Sequence, residues 1–110
     1  MNLYPRAYHY IGEITLKNGY TLKQERLPDE GIDPWLFLVL NKKGERRYTF
    51  FYKIEQPIGI SYEKPFNIQM SFPVEEGGRI NMKKVIKLGQ TYDVWRVNEP
   101  IGSIKIISRL

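Results

Sequence analysis

The sequence predicts an all-β protein, a small antiparallel barrel of six to eight strands. Isoleucine and aromatic residues are abundant, with 13 isoleucines and 8 tyrosines, whereas alanine occurs only once. Branched and aromatic side chains fit a pleated, half-buried surface and lose rotamer freedom in a helix. Nine glycines and seven prolines interrupt the chain at short intervals, which is typical of short strands joined by turns.

Four strand candidates fall in the first half of the chain. Residues 8–16 alternate in polarity, and an Asn-Gly pair at 18–19 predicts a tight turn into a return strand over 20–23. Residues 35–40 are apolar at consecutive positions, which predicts a central strand covered on both faces. Residues 46–53 return from it after a polar turn, so these two segments form the clearest hairpin of the sequence.

The second half predicts three strands, with a further short strand as an option over 58–62. Residues 66–72 alternate cleanly between apolar and polar side chains. The inward positions would be Phe66, Ile68, Met70 and Phe72. Residues 80–88 contain neither glycine nor proline and predict a short helix or an edge strand. Residues 91–97 and 101–108 are the last two strand candidates.

Length, charge and composition exclude several classes of protein. A chain of 110 residues predicts one domain, residues 1–110. The absence of cysteine excludes disulfides, thiolate nucleophiles and cysteine-based zinc sites. The longest apolar run, 35–40, is far too short to cross a bilayer and no secretory signal is visible, so we expect a cytoplasmic protein without a membrane partner. The net charge of +5 favours acidic partners.

Catalytic and metal-binding patterns do not emerge from the sequence. His9 is the single histidine, no serine lies in a nucleophile motif, and we expect the His9 side chain to face solvent. An acidic loop could bind calcium but lacks EF-hand spacing, and turn chemistry accounts for its carboxylates. Its members are Asp29, Glu30 and Asp33. We therefore expect no enzyme activity, no catalytic residue, no metal site and no cofactor.

A basic and aromatic segment over residues 42–53 is the best candidate for a binding site. Single-stranded nucleic-acid binders combine cations that contact phosphates with rings that stack on bases. The predicted partner-binding residues are Lys42, Lys43, Arg46, Arg47 and Lys53. The alternative interpretation is an ordinary solvated hairpin tip, where lysines and arginines are common.

A second basic cluster follows in the segment predicted as a short helix. Its members are Arg79, Lys83, Lys84 and Lys87. On a helix, cations that recur every four residues form one charged stripe, which is also a normal solvent-facing surface. If both basic clusters lay on one side of the barrel, the case for an anionic partner would be stronger.

Several short motifs in residues 66–108 follow one another in a characteristic order. An alternating strand ends in a proline, a Gly-x-x-aromatic strand runs into an arginine, and a last strand opens with an apolar-Gly pair. These motifs lie at Pro73, Gly89 to Tyr92, Arg96 and Ile101-Gly102. This part of the chain resembles the C-terminal β-barrel domain of translation elongation factor Tu. The resemblance implies a barrel, although no phosphate-binding Gly-x-x-x-x-Gly-Lys motif is present.

The sequence thus favours a non-catalytic binding module. Its partner would be a nucleic acid or an acidic protein surface. This partner would be bound through the hairpin that carries Lys42 to Arg47, which we call the basic hairpin. The alternative is a small inhibitor or immunity-type protein that blocks a toxin or an enzyme, with the acidic loop as a natural contact. An enzyme that uses His9 with nearby carboxylates is the third hypothesis.

Overall fold

Six strands form one closed antiparallel barrel in the computed structural model, which describes residues 8–22, 35–40, 47–56, 59–72 and 82–110. The strands are β1 (Tyr10–Leu16), β2 (Trp35–Val39), β3 (Arg47–Ile54), β4 (Phe66–Ser71), β5 (Thr91–Arg96) and β6 (Glu99–Arg109). Their order around the barrel is β1-β4-β3-β2-β5-β6. The predicted fold class is confirmed, with the smallest strand number of the predicted range.

The strand order gives the barrel two distinct ends. β2, β3 and β4 form a meander, β5 and β6 form a hairpin, and β1 closes the barrel between β4 and β6. Because all neighbours are antiparallel, every odd-numbered strand begins at the same end. A short helix, α1 (residues 82–85), lies between β4 and β5 at the end where the odd-numbered strands begin. We call this end of the barrel the helix end. The opposite, turn end carries tight turns at 17–20, 61–64 and 97–98.

Inward-facing side chains from all six strands fill the barrel. The largest fully buried side chains, which include three from the segments between β4 and β5, are Phe50, Phe72, Ile14, Leu36, Leu38, Ile68, Met70, Met82, Ile86, Ile101, Ile104 and Ile106. The predicted inward face of β4 is confirmed, since three of its four apolar residues are buried and the half-buried Phe66 packs against the core. A small barrel filled in this way is a packed core and not a ligand cavity.

The helix α1 and the residue that follows it add two apolar side chains to the core at the helix end. Met82 and Ile86 are buried, and the Ile86 N–H donates to the Met82 carbonyl over 2.8 Å. The Tyr92 hydroxyl accepts the Lys87 N–H (2.9 Å) and donates to the Val85 carbonyl (3.1 Å), which fixes the helix to the start of β5. Of the two alternatives predicted for residues 80–88, a short helix or an edge strand, the described residues form the helix. No helix within the described residues is long and apolar enough to span a membrane.

Two predicted strands, 20–23 and 58–62, are not strands where the structure describes them, at 20–22 and 59–62. Residues 20–22 form no return strand because β4 and β6 occupy both edges of β1 and leave no edge with which such a strand could pair. After the turn the chain is held by side chains instead. Arg96 Nη2 donates to the Thr21 carbonyl (2.6 Å), and the Tyr62 hydroxyl donates to the Leu22 carbonyl (2.9 Å).

Candidate anion-binding surface at the helix end

The predicted partner-binding residues do not form a single cluster where the structure describes them. Lys42, Lys43 and Arg46 lie outside the described residues. Arg47 begins β3 at the helix end, whereas the exposed Lys53 lies near the turn end of the same strand. Six residues of extended chain separate these two by about 20 Å.

The Arg47 guanidinium contacts two aromatic rings and a carbonyl group of the same chain. The guanidinium carbon lies 4.7 Å from the ring centroid of Phe37 and 5.7 Å from that of Trp95. Phe37 and Trp95 are direct partners in the ladder between β2 and β5. Arg47 Nη1 also donates to the Val97 carbonyl over 2.7 Å. The side chain therefore crosses the outside of β2 and connects β3 to the turn between β5 and β6.

The turn that Arg47 reaches has a strained backbone. Val97 has a φ of 56°, in the left-handed region, and its side chain is 56% exposed. A β-branched residue is strongly disfavoured there, and the conformation costs about 1–2 kcal/mol. Two further hydrogen bonds hold the hairpin of β5 and β6 in place. The Arg96 guanidinium donates to the Thr21 carbonyl, and the Tyr20 hydroxyl donates to the Glu99 carboxylate. That hydrogen bond raises the pKa of Tyr20.

We expect Arg47→Ala to lower the free energy of unfolding by about 1.5 kcal/mol, because the variant loses a cation–π contact and a charged hydrogen bond. Urea unfolding followed by circular dichroism measures this change. Lys53→Ala is the control, since Lys53 is exposed on the same strand and its loss should change stability by less than about 0.5 kcal/mol. Equal effects of the two substitutions would show that the Arg47 contacts do not stabilise the barrel.

Exposed cations gather around α1. Lys83 and Lys84 lie on the helix, Lys87 follows it, and Arg109 lies near the end of β6 at the same end of the barrel. Burial raises the pKa of the Tyr10 hydroxyl, and the neighbouring Arg109 guanidinium opposes this rise. The attachment points of the basic hairpin, Leu40 and Arg47, are at this end as well.

The carboxylates of the described residues lie elsewhere. Two of them are on the outer wall of the barrel, at Glu13 and Asp93, and three are at the turn end, at Glu55, Glu63 and Glu99. Within the described part of the chain, the charged side chains around α1 are therefore all basic. Such a field attracts phosphates and carboxylates and weakens with added salt.

His9 has a different place from the one predicted. The residue is half-buried, and its Nδ1 accepts the Phe72 N–H over 3.0 Å, so the ring turns onto the end of β4 and not toward solvent. The His9 N–H also donates to the Met70 carbonyl (2.7 Å). The structure thus gives His9 a role in joining β1 to β4. Across the described ranges, no group of three or more histidine, aspartate or glutamate side chains could hold a metal ion.

Three residues around this surface were not singled out from the sequence. No local sequence motif marks Phe37, Trp95 or Arg109. The alternating direction of side chains along a strand nevertheless places Phe37 and Trp95 outside the barrel. Together with Phe51, which faces outward from β3, Phe37 and Trp95 form a half-buried outer aromatic wall. This wall extends from the middle of β2 and β3 toward the turn end, and the Arg47 side chain reaches it from the start of β3.

The fold and this surface define a class, a closed six-stranded barrel with a filled interior and a basic end. No protein-family model, curated protein or solved structure matches the chain. Conclusions about function therefore depend on the surface itself.

Proposed function

We propose that this protein is a non-catalytic binding module for single-stranded nucleic acid, with phosphates bound at the helix end. The observation that carries the proposal is the position of the second basic cluster. Lys83, Lys84 and Lys87 lie at the end of the barrel where β2 ends and β3 begins, so they share this end with Leu40 and Arg47, which flank the first basic cluster, whereas Arg79 lies outside the described residues. Phosphate contacts of this kind provide most of the affinity of non-specific binding.

The outer aromatic wall favours single strands over a duplex. Bases of a single strand are free to stack on exposed rings and on arginine planes, whereas the bases of a duplex are already stacked. Trp95 and Phe37 keep part of their surface accessible, and the Arg47 guanidinium adds a flat cation beside them. A strand that follows this wall from the helix end would meet phosphate-binding and base-stacking groups in succession.

The test is fluorescence anisotropy with labelled single-stranded RNA and DNA of mixed sequence, at several salt concentrations. Four phosphate contacts predict a slope of log affinity against log salt near −3, which is about a 50-fold loss between about 50 and 200 mM salt. The Lys83→Gln, Lys84→Gln double variant should reduce the magnitude of this slope by about 1.4. A matched double variant at the turn end, Lys17→Gln with Lys64→Gln, should leave the slope unchanged.

The basic hairpin needs separate variants, because Arg47 also stabilises the fold. Substituting Lys42, Lys43 and Arg46 together by serine, with Arg47 retained, tests the hairpin without removing the contacts to Phe37 and Trp95. Loss of retention on nucleic acid is expected. Lys53→Gln tests the remaining predicted contact. Equal affinities of the native protein, the α1 variant and the hairpin variant would contradict the proposal.

An acidic protein surface is the second candidate partner, as for an inhibitor or immunity-type protein. The exposed apolar side chains of Leu88 and Ile107, at 49% and 44% exposure, favour it because they lie beside the lysines of the helix end. Their proximity follows from the ladder, where the Gly89 N–H donates to the Ile106 carbonyl over 2.7 Å. A protein contact built on apolar burial depends weakly on salt, so the salt slope distinguishes the two partners.

A further inference from the structure

A groove lies at the turn end, between the turn after β1 and the turn before β4. Its volume is about 830 Å³, and residues 16, 18–21 and 61–63 line it. β1 and β4 are neighbours in the barrel, which brings the two turns side by side. Small-molecule sites have volumes of roughly 300–1,000 Å³ and occur in the mouths of β-barrels.

The groove combines flat aromatic surface with polar groups that carry hydrogen-bonding capacity. The residues that line it include two half-buried tyrosines, Tyr20 and Tyr62, and three exposed polar residues whose side chains carry an amide, a hydroxyl and a carboxylate, namely Asn18, Thr21 and Glu63. A purely apolar ligand would leave these polar groups without water or a partner, which is unfavourable. The lining therefore suits a ligand with one apolar face and several hydroxyl groups.

Both tyrosine rings are held in place by contacts outside the groove. The Tyr62 hydroxyl donates to the Leu22 carbonyl over 2.9 Å, and its ring meets the Phe66 ring edge to face at 5.7 Å. The Tyr20 hydroxyl donates to the Glu99 carboxylate. Each hydroxyl already has a protein partner, so the rings can offer their faces to a ligand without losing rotamer freedom on binding.

The charges around the groove favour a neutral ligand. Glu63 lines the groove and Glu99 lies behind Tyr20, while the exposed Lys17 and Lys64 belong to the two turns that border the groove, so charges of both signs surround it. The Arg96 guanidinium is bonded to the Thr21 carbonyl (2.6 Å) and opposes a cation. This balance distinguishes the groove from the basic helix end of the barrel.

We infer that the groove between the turns at 17–20 and 61–64 binds a neutral saccharide, whose ring stacks on tyrosine while its hydroxyls bond to Asn18, Thr21 and Glu63. Sugar rings present C–H groups on one face and hydroxyls around the edge, which matches fixed aromatic rings beside an amide and a carboxylate. The site is independent of the nucleic-acid surface proposed above, because the two lie at opposite ends of the barrel.

The experiment is a titration of the full chain, uniformly labelled with ¹⁵N, with glucose, galactose, N-acetylglucosamine, maltose and cellobiose. Binding with a Kd near about 1 mM is expected for at least one of these sugars, with amide shifts confined to residues 16–22 and 60–64. Glu63→Ala should weaken that binding about tenfold, since a charged hydrogen bond is lost. Thr21→Val, which keeps the side-chain shape, should also weaken it.

Glu55→Ala is the matched control, because Glu55 is an exposed carboxylate at the same end that lines a neighbouring depression. It should leave the affinity for the sugar unchanged. The inference is overturned if none of the five sugars shifts these amides at concentrations up to about 50 mM. It is also overturned if Glu63→Ala and Glu55→Ala have equal effects, or if choline chloride produces the shifts and the sugars do not.

Discussion

Gly102→Ala is expected to lower the free energy of unfolding by about 3 kcal/mol. Gly102 lies in β6, where it is paired with Leu16 of β1 on one side and with Val94 of β5 on the other. A Cβ atom at this position would lie 3.0 Å from the Leu16 Cα and 3.1 Å from the Thr15 carbonyl carbon, and closer still to the Thr15 oxygen. These are backbone atoms of a neighbouring strand, so no rotamer change can relieve the clash.

Thermal and urea unfolding followed by circular dichroism measure this loss, and failure to accumulate folded protein would agree with it. Gly19→Ala is the control for a different penalty. Gly19 has a φ of 89°, and a Cβ there would meet no heavy atom within 4 Å, so only backbone strain of about 1 kcal/mol is expected. If the two substitutions destabilise the protein equally, the close approach of β6 to β1 does not limit its stability.

Phe72→Ala should cost about 4 kcal/mol, the second large effect that we expect. The side chain is 2% exposed and lies among three other rings. Its centroid is 5.9 Å from that of Tyr10, 5.8 Å from that of Phe50 and 6.4 Å from that of Tyr48. Removing the ring would leave a cavity bordered by side chains of β1 and β3, the two strands that flank β4, and this cavity can collapse only in part.

Phe66→Ala provides the comparison, because the same residue type is removed from the other end of the same segment. Phe66 is half-buried and its one described ring partner is Tyr62, so a loss of about 2 kcal/mol is expected. Phe72→Leu, which retains most of the volume, should cost less than about 2 kcal/mol. If Phe66→Ala were more destabilising than Phe72→Ala, the three ring contacts of the buried Phe72 would not explain its contribution to stability.

Local patterns predicted the strands whose side chains alternate or are uniformly apolar. The alternation over 66–72 gives β4, and the apolar run over 35–40 gives β2, which lies between β3 and β5. Such patterns reflect which face of a strand is buried, and burial is a property of each strand separately. They contain no information on which distant strand will occupy a given edge.

The missed features all depend on pairing between distant segments. The strand predicted over 20–23 fails because β4 and β6, far along the chain, occupy the edges of β1. Whether the two basic clusters share an end depends on the number of strands between them, since antiparallel connections alternate between the ends. The optional strand over 58–62 would have placed the clusters at opposite ends. Without it, the lysines around α1 lie at the same end as Leu40 and Arg47, the described residues that flank the first cluster.

Arg47 illustrates the same limit for the candidate site. A run of cations beside a turn predicts solvated side chains, yet the Arg47 guanidinium lies against Phe37 and Trp95. Residue 95 is 48 positions away, and no local pattern connects it to Arg47. The resemblance of residues 66–108 to the elongation factor Tu domain stays a prediction.

Closure of the barrel determines how any macromolecular partner can be recognised. Each of the six strands is hydrogen-bonded to a neighbouring strand on both sides over at least part of its length, so none of the strands in the described residues is an edge strand open to an incoming peptide. Strand addition, donor-strand exchange and fibril templating all require such an edge. A macromolecule that binds the outside of the barrel must therefore recognise side chains that project from the strands. Substitutions of these side chains can change the specificity of binding without changing the hydrogen bonds between strands.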